Sequence, residues 1–370
     1  MKITELKLKN YRNCKEIYLD LDSKKTLIIG KNAQGKTNIL ESIYFLSSLK
    51  SPRTNNNIEL INFDSDFVEI NSVVRKSNVD IDLDFRYTKE KKRELKVNKL
   101  KTSKLKEYRN VLKTVLFSTQ DLLLLRGGPQ DRRDWLDGAI SQIYPAYDER
   151  LSKYNKTRIQ KNNFLKDYNQ DETLLEVYNE QLAILGSNII FLRKKFLKEL
   201  EKIAKEKHLN ISREENLTLN YDCSFLAEEK KETPEVNEIL EKFKIKLEER
   251  KKEEIIRGQA LVGPHRDDVI FHINNQEAAK FASQGQQRTV VLSLKLAELE
   301  LITQKIKESP ILLLDDVLAE LDDLRQNYLL QTIDKNTQTI ITSVDTLLFD
   351  EKFLKDVKIY KIENGRISKD

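Results

Sequence analysis

The residues that most restrict this chain are Gly30-Lys31-Asn32-Ala33-Gln34-Gly35-Lys36-Thr37, which follow the apolar residues 26–29 and precede a helical stretch at 38–49. Strand, glycine loop and helix in that order fit G-x-x-x-x-G-K-[ST], a loop that cradles nucleotide phosphates. Its glycines let backbone N–H groups converge on an anion, and the N-terminus of the following helix adds a favourable dipole. In such a loop Lys36 reaches the β- and γ-phosphates and the Thr37 hydroxyl ligates Mg²⁺. An α/β fold that binds Mg²⁺–ATP is the expectation.

A second element supports it. Ile311-Leu312-Leu313-Leu314-Asp315-Asp316 reads as a buried strand delivering a carboxylate to the metal at its C-terminal end. Asp315 is the expected Mg²⁺ partner, and Asp316 is placed to orient or activate the attacking water. Apolar strands ending in aspartate are common, so the reading draws its weight from the phosphate loop. Upstream, Ser283-Gln284-Gly285-Gln286 with Gln287 and Arg288 opens a helix over 286–303. Alone it is a turn and N-cap. In this order it resembles the ABC signature, whose serine and glycine backbone meet the γ-phosphate of a nucleotide held by a second copy of the protein.

Because these motifs lie at both ends of the chain, its N- and C-terminal parts must pack together. The expected division is an ATPase lobe of 1–130 plus 260–370 and a mainly helical lobe of 131–259. In the first part, Ile81, Leu83, Phe85 and Tyr87 alternate with Asp80, Asp82, Asp84 and Arg86 at the period of a half-buried strand. In the middle, Leu182, Leu185, Ile189, Leu192 and Phe196 recur at helical spacing, with one strand expected at 217–221. The charge-dense residues 228–254, broken by Pro234, read as a solvated helix or pair of helices. Trp135 is expected to fill the core at the lobe junction. Beyond Gly263, strands are expected at 311–314 and 339–342 and a helix at 322–333. No heptad stretch is long enough for a coiled-coil arm.

Composition excludes little else. Apolar runs stop far short of the roughly 20 residues that span a bilayer, and no secretion signal opens the 370 residues. A soluble, cytoplasmic protein is expected, with Cys14 and Cys223 as free thiols matching no metal spacing. The net charge is only +5. Residues 89–113, however, hold eleven basic side chains against Glu90, Glu94 and Glu107. That run reads equally as a contact for nucleic-acid phosphates and as a solvated face.

The ordered set of motifs resembles the RecF family of bacterial recombination mediators, relatives of SMC-type and double-strand-break-repair ATPases. It comprises Tyr11-Arg12-Asn13, the phosphate loop, Gly128-Pro129-Gln130-Asp131-Arg132-Arg133 with Leu136-Asp137, Gly263-Pro264-His265-Arg266-Asp267-Asp268, the serine–glycine element, and Leu314-Asp315-Asp316 with Glu320-Leu321-Asp322. The resemblance implies an ABC-type head with a helical second lobe and no long coiled coil. It also implies an ATP-dependent homodimer on single-stranded, duplex or gapped DNA, slow hydrolysis, RecO- and RecR-like partners, recombinase loading at gaps, and a part in the SOS response. By position, Arg12 approaches the phosphates, Ser283, Gly285 and Gln286 complete the partner's site, and Asp322 lies in a loop crossing the dimer interface. Gln120, just after residues 115–117, is the candidate metal- or water-sensing glutamine, although the family more often has Pro-Glu where this chain has Thr119-Gln120.

Other departures point to a switch. ABC transporters place glutamate after the metal aspartate and a histidine beyond the next strand. This chain has Asp316 there, and Ser343-Val344-Asp345 beyond. The missing histidine and the split of motifs across the chain disfavour a transporter subunit. A nuclease reading would use His265, Asp267 and Asp268 as metal ligands, but a hydrogen-bonded turn is the preferred account. Arg132 and Arg133 read as braces formed through carboxylates or as DNA contacts, with the structural role favoured.

Overall fold

The computed structural model of the chain describes residues 1–167, 171–226, 234–333 and 337–368. Its contacts divide into two compact units, Met1–Asp121 with Glu298–Asp370, and Leu122–Ala297. The boundaries therefore fall earlier and later than the expected 130 and 260. The reason is pairing: strand Asp268–Ile273 runs antiparallel to Leu217–Asp222 along its whole length, keeping the residues after 260 with the helical unit. The second boundary lies inside the helix Gln284–Ile306.

The unit formed by both termini contains two six-stranded sheets. One is antiparallel, in the order Cys14–Asp20, Lys2–Tyr11, Phe67–Lys76, Val79–Thr88, Arg93–Val97, Leu100–Lys101. The alternation at 80–87 places Leu83 and Phe85 fully inside, with Ile81 and Tyr87 half-buried. The other sheet has the order Arg366–Ser368, Val357–Glu363, Lys25–Ile29, Thr339–Ser343, Ile311–Asp315, Thr114–Ser118. All its neighbours are parallel except the final hairpin. Strands buried on both faces read as unbroken apolar runs, as residues 311–314 do. The helix Lys36–Ser48 contributes Ile39, Leu40, Ile43, Phe45 and Leu46 to one apolar cluster containing Leu6 and Phe85 from the first sheet and Ile28 and Leu313 from the second. Phe45 meets Phe85 edge to face at 4.7 Å.

The basic run at 89–113 lies largely on the edge strands of the antiparallel sheet and the short helix Leu105–Arg109. Much of its charge is locally paired: Lys89 with Asp66, Lys96 and Lys101 with Glu94, Lys104 with Glu107.

The other unit holds the helices Pro129–Ile143, Tyr147–Phe164, Glu172–Ser212 and Val236–Arg257, with strand Gln276–Glu277 completing a three-stranded sheet. On the long helix, Leu182, Ile189 and Phe196 are buried as their spacing predicts. Two expectations change. Val236–Arg257 is not merely a solvated helix, because Ile239, Phe243 and Leu247 form one side of a core cluster with Ala183, Ile190 and Val262. Residues 228–233 of the charge-dense stretch lie outside the described residues. Trp135 is only half-buried, its ring edge-on to Phe271 at 6.1 Å.

A buried polar knot orders this unit. Arg193, on the long helix and 2% exposed, donates from Nε and Nη2 to the two carboxylate oxygens of Asp137, both at 2.8 Å, and from Nη1 to the Pro264 carbonyl at 2.6 Å. Tyr147 donates to the same carboxylate at 2.5 Å. Three helices and the 263–268 turn are thus tied by one ion pair. Removing one partner leaves a buried charge without compensation, so Asp137→Ala is expected to lower unfolding free energy by about 3–5 kcal/mol in urea denaturation.

Candidate functional site

Sheet register brings the distant motifs together. Ile29, at the end of the phosphate-loop strand, pairs with Ser343, Ile28 with Thr342, Thr342 with Asp315, and Asp315 with Ser118. Four parallel strands therefore end in a row, where crossover loops of an α/β sheet form its binding crevice. A cavity of about 1240 Å³ opens there, lined by Asn32 to Asn38, Asp315, Asp316, Gln120 and Arg12 among others. That volume suits a nucleotide.

The loop's geometry follows from its glycines and from a brace at the far end of the chain. Gly35 caps the helix at φ 111°, in the left-handed region that suits glycine, and a Cβ there would stand 2.9 Å from the Asn13 side-chain oxygen. Asn13 in turn accepts from Asn38 at 2.7 Å and donates to the Ala33 carbonyl at 3.4 Å. Gly365 and Asn364, in the C-terminal hairpin, donate backbone N–H groups to Gln34. Lys36, 3% exposed, donates to the carbonyls of Gly30 at 2.8 Å and Lys31 at 3.3 Å, and its Nζ is 3.7 Å from Asp316.

Asp315 Oδ1 accepts two hydroxyls, Thr37 at 3.0 Å and Thr342 at 2.9 Å. Burial raises the Asp315 carboxyl above its ordinary range, opposed by those two hydrogen bonds and reinforced by the charge of Asp316. A hydroxyl and a carboxylate side by side are the hard oxygen donors that Mg²⁺ takes while keeping waters and phosphate oxygens as its other ligands. The residues fit the ion. Asp316 adopts φ 53°, its backbone N–H held by Thr342 Oγ1 at 2.9 Å. Arg12 lines the cavity but is clamped by Glu41, at 2.5 Å and 2.6 Å. Gln120 sits on the cavity wall, solvent-exposed.

Ser283 and Gln286 form a reciprocal cap at the start of Gln284–Ile306: the Ser283 N–H donates to Gln286 Oε1 at 2.8 Å, and the Gln286 N–H to Ser283 Oγ at 3.3 Å. Ser283 is exposed and Gly285 half-buried; Gln286 also donates to Glu215 at 2.7 Å. Asp322 caps the helix Asp323–Thr332.

The 263–268 turn is densely hydrogen-bonded. His265 shares hydrogens with Tyr154 at 2.7 Å and the Ala260 carbonyl at 3.1 Å, and burial pushes its imidazole down to about 3. Asp267 accepts from Tyr221 at 2.7 Å, and burial raises it to about 7. Asp268 forms a two-pronged pair with Arg132, both contacts at 2.7 Å, while Arg133 donates to the Asp267 carbonyl. Among the described residues no three His, Cys, Asp or Glu side chains are grouped to hold a metal.

The sequence reading did not include Glu41, Arg53 and Thr342, which the fold brings to the site. Thr342, one strand from Asp315, had a signal in the polar end of an apolar strand.

Comparison with known proteins agrees with this geometry. The family model described as RecF/RecN/SMC N terminal domain matches residues 2–368. The DNA replication and repair protein RecF of Bacillus thuringiensis (strain Al Hakam) is 42% identical over 99% of this chain and 98% of its own length, and that of Bacillus cereus (strain B4264) is equally similar. The chain belongs to the RecF family. A solved structure of the recombination mediator protein RecF with ATP superposes with a TM-score of 0.91 at 35% identity, covering 99% of this chain and 97% of that one. An SMC head structure, at 15% identity and TM-score 0.55, shares the fold alone. The ABC-type head fold expected from the motifs is thereby established.

Because the fold raises the Asp315 carboxyl, its ionised form costs stability. That cost is absent below the unfolded-state value and grows as pH rises toward the folded one. Asp315→Asn, which keeps an acceptor for Thr37 and Thr342, is expected to melt higher than the parent protein at pH 7 without nucleotide, the difference shrinking in acid. Calorimetric melting across pH checks this.

Proposed function

We propose that this chain is an ATP- and DNA-binding protein of recombinational repair and replication-fork maintenance, acting in the cytoplasm. The observation that carries the reading is the convergence of Lys36, Thr37 and Asp315 on one cavity. The similarity to a RecF structure solved with ATP agrees with it. Thr37 and Asp315 would hold Mg²⁺, which would supply positive charge against the phosphates. Lys36 turns from the loop carbonyls to the β- and γ-phosphates, and Asp316 orients the attacking water.

Hydrolysis is slow in this account. Asp316 is one methylene shorter than the glutamate of transporter ATPases, and Ser343-Val344-Asp345 supply no histidine to the γ-phosphate. Slow turnover suits a timed switch: ATP joins two copies on DNA, with Ser283, Gly285 and Gln286 of each completing the other's site, and hydrolysis parts them. Exposure of the Ser283 turn leaves it accessible to a second copy. RecO- and RecR-like proteins are the partners inferred for loading recombinase at gaps and for SOS induction, since the similar structures belong to the RecFOR pathway. A transporter subunit is disfavoured by the missing histidine and by the split of the motifs across the whole chain. A metal nuclease is disfavoured by the engaged state of His265 and Asp267.

Nucleotide titration and light scattering separate the two parts of the proposal. Lys36→Ala is expected to lose ATP binding at least tenfold, while Ser283→Arg keeps ATP affinity but stays monomeric with ATP, Mg²⁺ and duplex DNA. Equal loss of ATP binding in both variants contradicts the shared-site architecture.

A further inference from the structure

Glu41 lies on the phosphate-loop helix just past Lys36 and Thr37, yet it is 1% exposed, and no step described above uses it. A buried carboxylate requires compensation, and the donors it has gathered come from two other segments. Arg12, from the turn between the first two strands, donates Nε to Oε2 at 2.5 Å and Nη2 to Oε1 at 2.6 Å. Ser51 Oγ donates to Oε1 at 2.5 Å, and Arg53 Nη1 stands 3.5 Å from Oε2. Both arginines line the nucleotide cavity.

Their other contacts show that they are held for something. Arg12 sits at φ 49°, left-handed for a non-glycine residue, with its backbone N–H bonded to the Leu60 carbonyl at 2.8 Å and its own carbonyl bonded by Asn62. Its Nη1 reaches the Glu59 carbonyl at 3.4 Å. Arg53 is pinned on its other side by Asn38 Oδ1 at 2.7 Å. Two guanidiniums lining one cavity with Lys36 would repel one another; a single carboxylate between them offsets part of that repulsion and fixes their planes. One negative charge against two positive ones leaves the pair cationic toward the cavity.

We infer that Glu41 is a positioning residue of the nucleotide site, whose buried carboxylate aims Arg12 and Arg53 at the phosphate chain. It does not touch the nucleotide; it acts through the arginines, so the phosphates meet donors already oriented. The inference rests on the ATP-binding reading above.

The test is ATP titration by calorimetry on the full chain with Mg²⁺, using Glu41→Gln, Arg12→Ala and their combination, with Lys36→Ala as the control. Glu41→Gln is expected to weaken ATP binding about tenfold, the order of one charge-assisted hydrogen bond. In the Arg12→Ala background the same change should cost less than about threefold, because the two-pronged pair is gone and only the 3.5 Å contact to Arg53 is left for Glu41 to act through. An equal loss in both backgrounds makes Glu41 a merely structural carboxylate and overturns the inference. If Glu41→Gln does not fold, Arg12→Lys decides: it keeps the charge beside Glu41 but not the two-pronged geometry. It should bind ATP about tenfold more weakly than the parent, and unchanged affinity overturns the inference. Failure of the parent protein to bind ATP would sink the functional reading instead.

Discussion

One oxygen of Asp315 holds the site together. It accepts hydroxyls from Thr37, at the start of the phosphate-loop helix, and from Thr342, at the end of the intervening strand. Neither contact is possible unless strands Lys25–Ile29, Thr339–Ser343 and Ile311–Asp315 lie side by side and parallel, so that their C-terminal ends share one edge. The same register carries residues 119–122 to that edge, beside Ser118. The two sheets then sandwich the phosphate-loop helix, and through it the antiparallel sheet delivers Arg12 and Asn13 to the cavity. Burial disfavours the charge that the metal requires, and two hydroxyls partly offset that cost.

What could be read from the sequence was local. The phosphate loop, the strand ending in Asp315 and the cap at Ser283 each declare themselves within about eight residues, because spacing alone encodes strand, turn and helix. What could not be read is set by pairing between distant segments. Gly365 and Asn364 brace Gln34 from the other end of the chain. Glu41 looks like any polar residue on an amphipathic helix until Arg12 and Arg53 arrive from either side of it. The unit boundary moved because Asp268–Ile273 pairs with Leu217–Asp222, which no local pattern specifies. Ile239, Phe243 and Leu247 were visible at helical spacing, yet charge density around them hid a core face.

Several motifs that carry the family resemblance are engaged in polar contacts inside the helical unit. Asp137, Pro264 and Asp267 converge on Arg193, Tyr147 and Tyr221 inside the helical unit, and Arg132 locks onto Asp268. Buried charges of this kind tolerate few substitutions, because loss of one partner leaves the other uncompensated. Motif residues can therefore mark either chemistry or buried electrostatics.

The central claim is that Asp315 and Thr37 place a metal ion on the nucleotide. Titrating ATP with and without Mg²⁺ into the parent protein and Asp315→Asn tests it most directly. The account predicts that Mg²⁺ strengthens ATP binding at least tenfold in the parent protein and little in the variant. The same Mg²⁺ dependence in both would contradict it and place the metal elsewhere.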